Sequence, residues 1–102
     1  MNPAREKVEL EGQCRVCGVP ADRCDAAHLW DRSLGGGGFD DPDLIVPLCS
    51  RIKGGCGCHD DYDAHELDLL AHLTLKEQVA LVRAAGGIER ARHRSVGRAR
   101  SL

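Results

Sequence analysis

Cysteine, histidine and carboxylate are the reactive currency of this 102-residue chain, which carries six cysteines and five histidines. Cys14-Arg15-Val16-Cys17-Gly18 is a C-x2-C knuckle, and Cys49, Cys56 and Cys58 form a second group far downstream. Two cysteines at the knuckle spacing can turn both sulfurs on one ion, and the following glycine accepts the tight backbone this requires. A tetrahedral zinc site needs four ligands; Cys14, Cys17, Cys49 and Cys58 are the preferred set, with Cys56 competing for the last place. Cys24 is then left as a buried, unligated thiol. A second chemistry is offered by nitrogen and oxygen. His28 is a candidate general base, and His59 and Asp63, at i and i+4, share a helix face on which they can hold a cation. Arg32, four residues past His28, is placed to contact a phosphate.

Short elements must position these groups. Residues 1–13 alternate charge without a periodic apolar face and are expected to be a frayed lead-in. Ala26 to Trp30 is expected as a strand, and Leu44 to Leu48 as its hairpin partner, Pro47 suggesting an edge position. Between them Gly35 to Gly38 and Asp40-Asp41-Pro42 make a long polar loop. It lacks the Lys-Ser/Thr ending of a nucleotide-binding loop. His59 to Leu70 is expected as a helix seated on the hairpin through Leu67 and Leu70, with His65 and His72 on the helix surface. Thr74 followed by Glu77 is a capping box. It opens a helix that presents Leu75, Val79 and Val82 to Leu69, Leu70 and Leu73 and stops at Gly86-Gly87. One or two basic turns over Ile88 to Arg94 precede a tail from Ser95.

Size and charge limit the possibilities. A chain of 11.0 kDa with 3% aromatic residues has one small core, so cysteine-bound metal is expected to help hold it. The start, Met-Asn-Pro-Ala-Arg-Glu-Lys, has no apolar export region, and no run of about 18 apolar residues occurs. The expectation is a cytoplasmic, non-membrane protein whose clustered cysteines bind metal, with disulfides as the competing reading. The net charge of −2 hides an asymmetry: residues 83–102 hold six arginines against Glu89, while residues 1–82 hold eight Lys/Arg against fifteen Asp/Glu. An acidic body with a basic end suits a protein that holds cations and meets a polyanion, although a solvated terminus has the same composition. Arg90, Arg92, Arg94, Arg98 and Arg100 have no aromatic residues among them, which favours contact with nucleic-acid backbone over base stacking.

The order C-x2-C, Ala-His-Leu-x-x-Arg-Ser-Leu-Gly-Gly, Pro-Leu-Cys and Cys-His-x-x-x-Asp resembles the zinc-stapled HNH (His-Me finger) endonucleases of phages and bacteria, over roughly residues 14–70. The resemblance implies an α+β fold, a small ββα-metal, treble-clef-like domain over 14–73 with a structural zinc; the residues beyond it are expected to form a helical extension over 74–94 and a basic tail over 95–102. It implies hydrolysis of phosphodiester bonds in DNA, most naturally double-stranded, leaving a 3′ hydroxyl and a 5′ phosphate. His28 matches the general base, while His59 and Asp63 match the ligands of a catalytic Mg2+, Mn2+ or other divalent cation. Ala27 stands where family members often bring a further ligand. Leu44 stands at the family's central Asn, and Asp43, one residue away, is the candidate to orient His28. Imidazole can deprotonate water near neutral pH and a divalent cation can neutralise charge developing on phosphate, so the chemistry asks for these residue types on its own account. Nucleic-acid contacts fall to Arg32, Arg90, Arg92, Arg94 and Arg98. Two non-enzymatic readings stand beside this one: a zinc module that binds nucleic acid through its arginines, and a structural partner in a larger phage or bacterial complex.

Overall fold

The first helix, α1 (Pro3–Glu11), occupies the stretch expected to fray. It has no apolar stripe to advertise it, and Val8 is its one buried residue. Cations hold it instead. Arg5 donates to the carbonyls of Cys24 and Ala21 at 2.6 and 2.9 Å, and Lys7 donates to the carbonyls of Pro42 and of Ile45, the latter at 2.5 Å. Arg5 also pairs with Glu9 one turn on, at 2.6 Å. The helix ends at Gly12, whose N–H returns to the Val8 carbonyl. The structure, a computed structural model, describes residues 3–30 and 41–96, with side chains to residue 93. Arg32, Arg98, Arg100, the side chain of Arg94 and the Gly35–Gly38 loop lie outside the described residues.

Two antiparallel strands form the sheet, β1 (Cys24–His28) and β2 (Ile45–Cys49), in the register Cys24 to Cys49 through His28 to Ile45. Both correct the expected bounds: β1 starts two residues earlier and stops before Leu29 and Trp30, and β2 lies one residue later. Leu29 and Trp30 are nonetheless buried, their run continuing into the core beyond the ladder, where Leu29 N–H reaches the Leu44 carbonyl at 2.7 Å. All five residues of β2 are buried because α1 and the next helix pack on the sheet. Each strand of a two-stranded sheet is an edge, so Pro47 needs no outward N–H partner. Its carbonyl instead accepts from Arg15 N–H at 2.9 Å, which attaches the first cysteine knuckle to the sheet.

The helix expected over His59–Leu70 is much shorter: α2 spans Cys58–Asp63. Its stop is a Schellman turn in which Glu66 N–H bonds the Asp61 carbonyl and His65 N–H the Tyr62 carbonyl, with His65 at φ +60°. A histidine fills the left-handed position where a glycine would have been readable. Leu67 and Leu69 thus pack from an irregular segment, Leu69 fully buried, while Leu70–His72 makes a 3-10 turn. Tyr62 is also fully buried, its hydroxyl donating to the Leu29 carbonyl at 2.7 Å, so an aromatic residue does contribute a large share of this small core.

Helix α3 (Leu75–Ala85) has the expected capping box, Thr74 with Glu77, and the expected glycine stop at Gly86. Its orientation differs from expectation. Leu75 and Val79 are exposed, and the buried residues are Glu77, Leu81 and Ala85. Glu77 is drawn inward by Arg15, at 2.5 Å, and by Lys7, at 3.6 Å, and this turns the Leu75–Val79 flank towards solvent. Helix α4 (Ile88–Val96) follows, longer than the one or two turns expected, with Ala91 buried and Arg90 5.7 Å from the Trp30 ring centroid in a cation–π contact. The result is a small α+β fold around a two-stranded sheet. Among the described residues, no helix is long and apolar enough to cross a membrane.

Candidate functional site

The Cys14 knuckle is a tight turn closed by Cys14 N–H to the Val19 carbonyl at 2.8 Å and Gly18 N–H to the Cys14 carbonyl at 3.1 Å. Gly18 takes φ +81°, a left-handed conformation that suits glycine. The second group sits on a loop that leaves β2 at Cys49, makes a 3-10 turn over Arg51–Lys53 and enters α2 at Cys58. Gly55 is required here by close approach, since a Cβ at that position would lie 2.5 Å from Cys49 Cβ. Arg51 ties the loop to the helix it precedes: its N–H bonds Asp60 at 3.0 Å and its guanidinium bonds Asp61 at 2.9 Å.

These two turns bring Cys14, Cys17, Cys49 and Cys58 together with all four sulfurs within 4.8 Å of one another, the set preferred from spacing. Three of the four are buried and Cys17 is exposed. Cys49 N–H points at Cys14 Sγ at 3.5 Å, the kind of backbone donor that supports a thiolate. Burial opposes ionisation of Cys49, yet hydrogen bonding with the Cys58 backbone N–H and the Cys56, Cys17 and Cys58 sulfurs pulls it down to about 6. Burial, with neighbouring sulfurs adding, pushes Cys17 up to about 12 and Cys58 higher still. A divalent cation reverses this balance, because each further thiolate then meets positive charge. The donor set therefore fits a structural metal ion such as zinc. Exposed Cys56 stands beside the group, its Sγ 3.1 Å from Cys17, 3.4 Å from Cys49 and 3.5 Å from Cys58. Cys24 is separate, buried with its thiol facing the Pro20 carbonyl at 3.5 Å, and burial first, then the neighbouring cysteines, raises it to about 12.

The nitrogen and oxygen donors lie on the next turn of chain. His59 follows Cys58 directly, so a metal held by Cys58 also fixes where the imidazole begins. Its Nε2 is 3.5 Å from Asp63 Oδ2, which brings the two expected cation ligands together. Its Nδ1 is 2.9 Å from Asp25 Oδ2, a partner not singled out from sequence. The other Asp25 oxygen is 2.8 Å from Lys53 Nζ. Burial pushes the Asp25 carboxyl up, but the hydrogen bonds from Lys53 and His59 outweigh it and hold the group below the usual carboxylate range. A strand expected to begin at Ala26 leaves Asp25 outside its alternation, so the sequence carries no signal for this contact.

His28 ends β1 and is exposed. Side chains alternate along a strand, so Ala27 shares the Asp25 face towards α2 and His28 points to the other. Among the described residues no hydrogen bond or ion pair joins His28 to His59 or Asp63. Asp43 lies in the 3-10 turn Pro42–Leu44, 3.7 Å from Lys76 Nζ, on the rim of an open groove of about 750 Å³ between that turn and α3. None of the cysteines, His28, His59 or Asp63 lines this groove. Arg90 and Arg92 are exposed on α4, with exposed Arg83 at the end of α3. In comparisons with known proteins, no family, curated protein or solved structure matches the chain.

Proposed function

We propose that this protein is a metal-dependent endonuclease of the HNH type that hydrolyses phosphodiester bonds in double-stranded DNA. The observation that carries the reading is the junction at Cys58-His59, where the last cysteine of the sulfur cluster is followed at once by an imidazole facing Asp63 across 3.5 Å. One N donor and one O donor on a single helical face suit a divalent cation that keeps positions open for substrate. Bound there, Mg2+ or Mn2+ would neutralise charge building on the phosphate and the leaving oxygen. His28, exposed at the end of β1, takes the proton of the attacking water. Exposed Arg90 and Arg92, with Arg32, Arg94 and Arg98 of the basic stretches, hold the DNA backbone, and the zinc serves the fold.

A specific observation favours a second reading, the non-catalytic zinc module. By strand alternation His28 faces away from the side of β1 that meets His59. A plasmid assay separates the two. Zinc-loaded protein is incubated with plasmid and Mg2+, Mn2+ or no added cation, alongside His28→Ala and His59→Ala. The endonuclease nicks plasmid only with added cation and loses the activity, by a hundredfold or more, in both variants. No nicking under any cation, together with a gel shift that disappears when the C-terminal arginines are replaced, establishes the binding module instead.

A further inference from the structure

Asp25 connects two parts of the molecule that the chain order keeps apart. It sits on β1, across from α2, with about a quarter of its side chain exposed (28%), much like His59 (24%). One carboxylate oxygen lies 2.9 Å from His59 Nδ1 and the other 2.8 Å from Lys53 Nζ. Lys53 closes the 3-10 turn inside the loop between Cys49 and Cys58, and its ammonium also donates to the Cys24 carbonyl at 3.3 Å. The far edge of the imidazole, Nε2, faces Asp63.

An imidazole that binds a cation must offer a bare nitrogen, and its other nitrogen then carries the proton and needs an acceptor. A carboxylate at Nδ1 meets that need: it favours the Nδ1–H tautomer, fixes the plane of the ring and leaves the Nε2 lone pair aimed at Asp63. A partner of this kind typically changes metal affinity by about 10- to 100-fold. Lys53 holds the carboxylate in turn, and Lys53 is placed by the loop that the cysteines fold. We propose that Asp25 is the positioning residue of the cation site, holding His59 as the Nδ1–H tautomer with Nε2 turned to Asp63, and that through Lys53 this orientation depends on the cysteine-bound loop. The inference rests on His59 and Asp63 being the cation ligands.

Two readouts on the zinc-loaded full chain test it. Long-range 1H–15N correlation of His59, without Mg2+ or Mn2+ and at a pH where the ring is neutral, reports the tautomer directly. Mn2+ titration followed by electron paramagnetic resonance reports affinity independently of cleavage. Wild type shows His59 protonated at Nδ1; Asp25→Ala shifts it to the Nε2–H form and weakens Mn2+ binding 10- to 100-fold, with the zinc content unchanged. Lys53→Met, which leaves the carboxylate in place, weakens Mn2+ binding several-fold and serves if Asp25→Ala does not fold. A wild-type His59 found in the Nε2–H form overturns the proposal. Mn2+ binding that is lost in His59→Ala yet unchanged in both Asp25→Ala and Lys53→Met also overturns it, while leaving the endonuclease reading intact. Wild type that binds Mn2+ no better than His59→Ala removes the cation reading, and the proposal falls with it.

Discussion

Glu77 shows how much one side chain does in a core this small. It is 4% exposed, accepts from Arg15 at 2.5 and 3.0 Å, and caps its own helix by accepting from Thr74 N–H at 2.9 Å. Burial raises its pKa, but Arg15, the Thr74 N–H and Lys7 together hold it below the usual value. A carboxylate depressed in this way contributes stability that is fully present above its unfolded pKa of about 4.3 and is lost as pH falls through the lower folded value. Glu77→Gln is therefore expected to cost about 2 kcal/mol at pH 7, the worth of a hydrogen bond to a charged group, and to flatten the acid limb of a urea-derived stability curve below about pH 4. The capping box was readable in sequence from Thr74 and Glu77. The pairing with Arg15, 62 residues away, was not, because no local pattern announces a long-range ion pair. Cysteine roles divide equally sharply. Cys56→Ser is expected to retain one tightly held zinc per chain by mass spectrometry, whereas Cys58→Ser loses both zinc and fold, since metal binding free energy is folding free energy in such sites.

Among the elements, the ones missed or misdrawn share a physical cause: they are held by polar contacts at a distance rather than by apolar periodicity. Helix α1 stands on Arg5 and Lys7 reaching strand and turn carbonyls, and α2 ends on a histidine in the left-handed region. The hairpin, the α3 cap and its glycine stop were legible because alternation, Thr-x-x-Glu and Gly-Gly are local signals. The sulfur set was legible too, since C-x2-C spacing and a cysteine at the end of an apolar strand constrain geometry directly. Asp25 was not, because its role depends on which face of β1 meets α2. Three substitutions test the corrected elements. His65→Val, which places a β-branched residue at φ +60°, is expected to destabilise by about 1–2 kcal/mol or more in urea unfolding. On α3, Leu81→Ala should cost about 2–5 kcal/mol as a buried truncation, while Leu75→Ala, at an exposed position, stays within about 0.5 kcal/mol. The reverse order would mean that the helix packs on the face its apolar residues suggested.

In the whole molecule, the sulfur cluster gathers the chain. One knuckle is bonded to β2 through Arg15 and Pro47, the other opens α2, and α1 and α3 lock onto the same region through Lys7, Arg15 and Glu77. Helix α2 carries acidic residues, while exposed arginines of α3 and α4 supply positive charge elsewhere on the molecule. The proposed DNA binding is expected to weaken steeply between 50 and 200 mM salt, following the release of counterions, and to do so less steeply when Arg90 and Arg92 are replaced. The proposed roles rest on four sulfurs sharing one ion, and X-ray absorption at the zinc edge, on protein purified under reducing conditions, tests that most directly. The expected result is one zinc per chain in a shell of four sulfurs at about 2.3 Å. A shell containing nitrogen or oxygen in place of a sulfur, or disulfide-linked protein without metal, would contradict it.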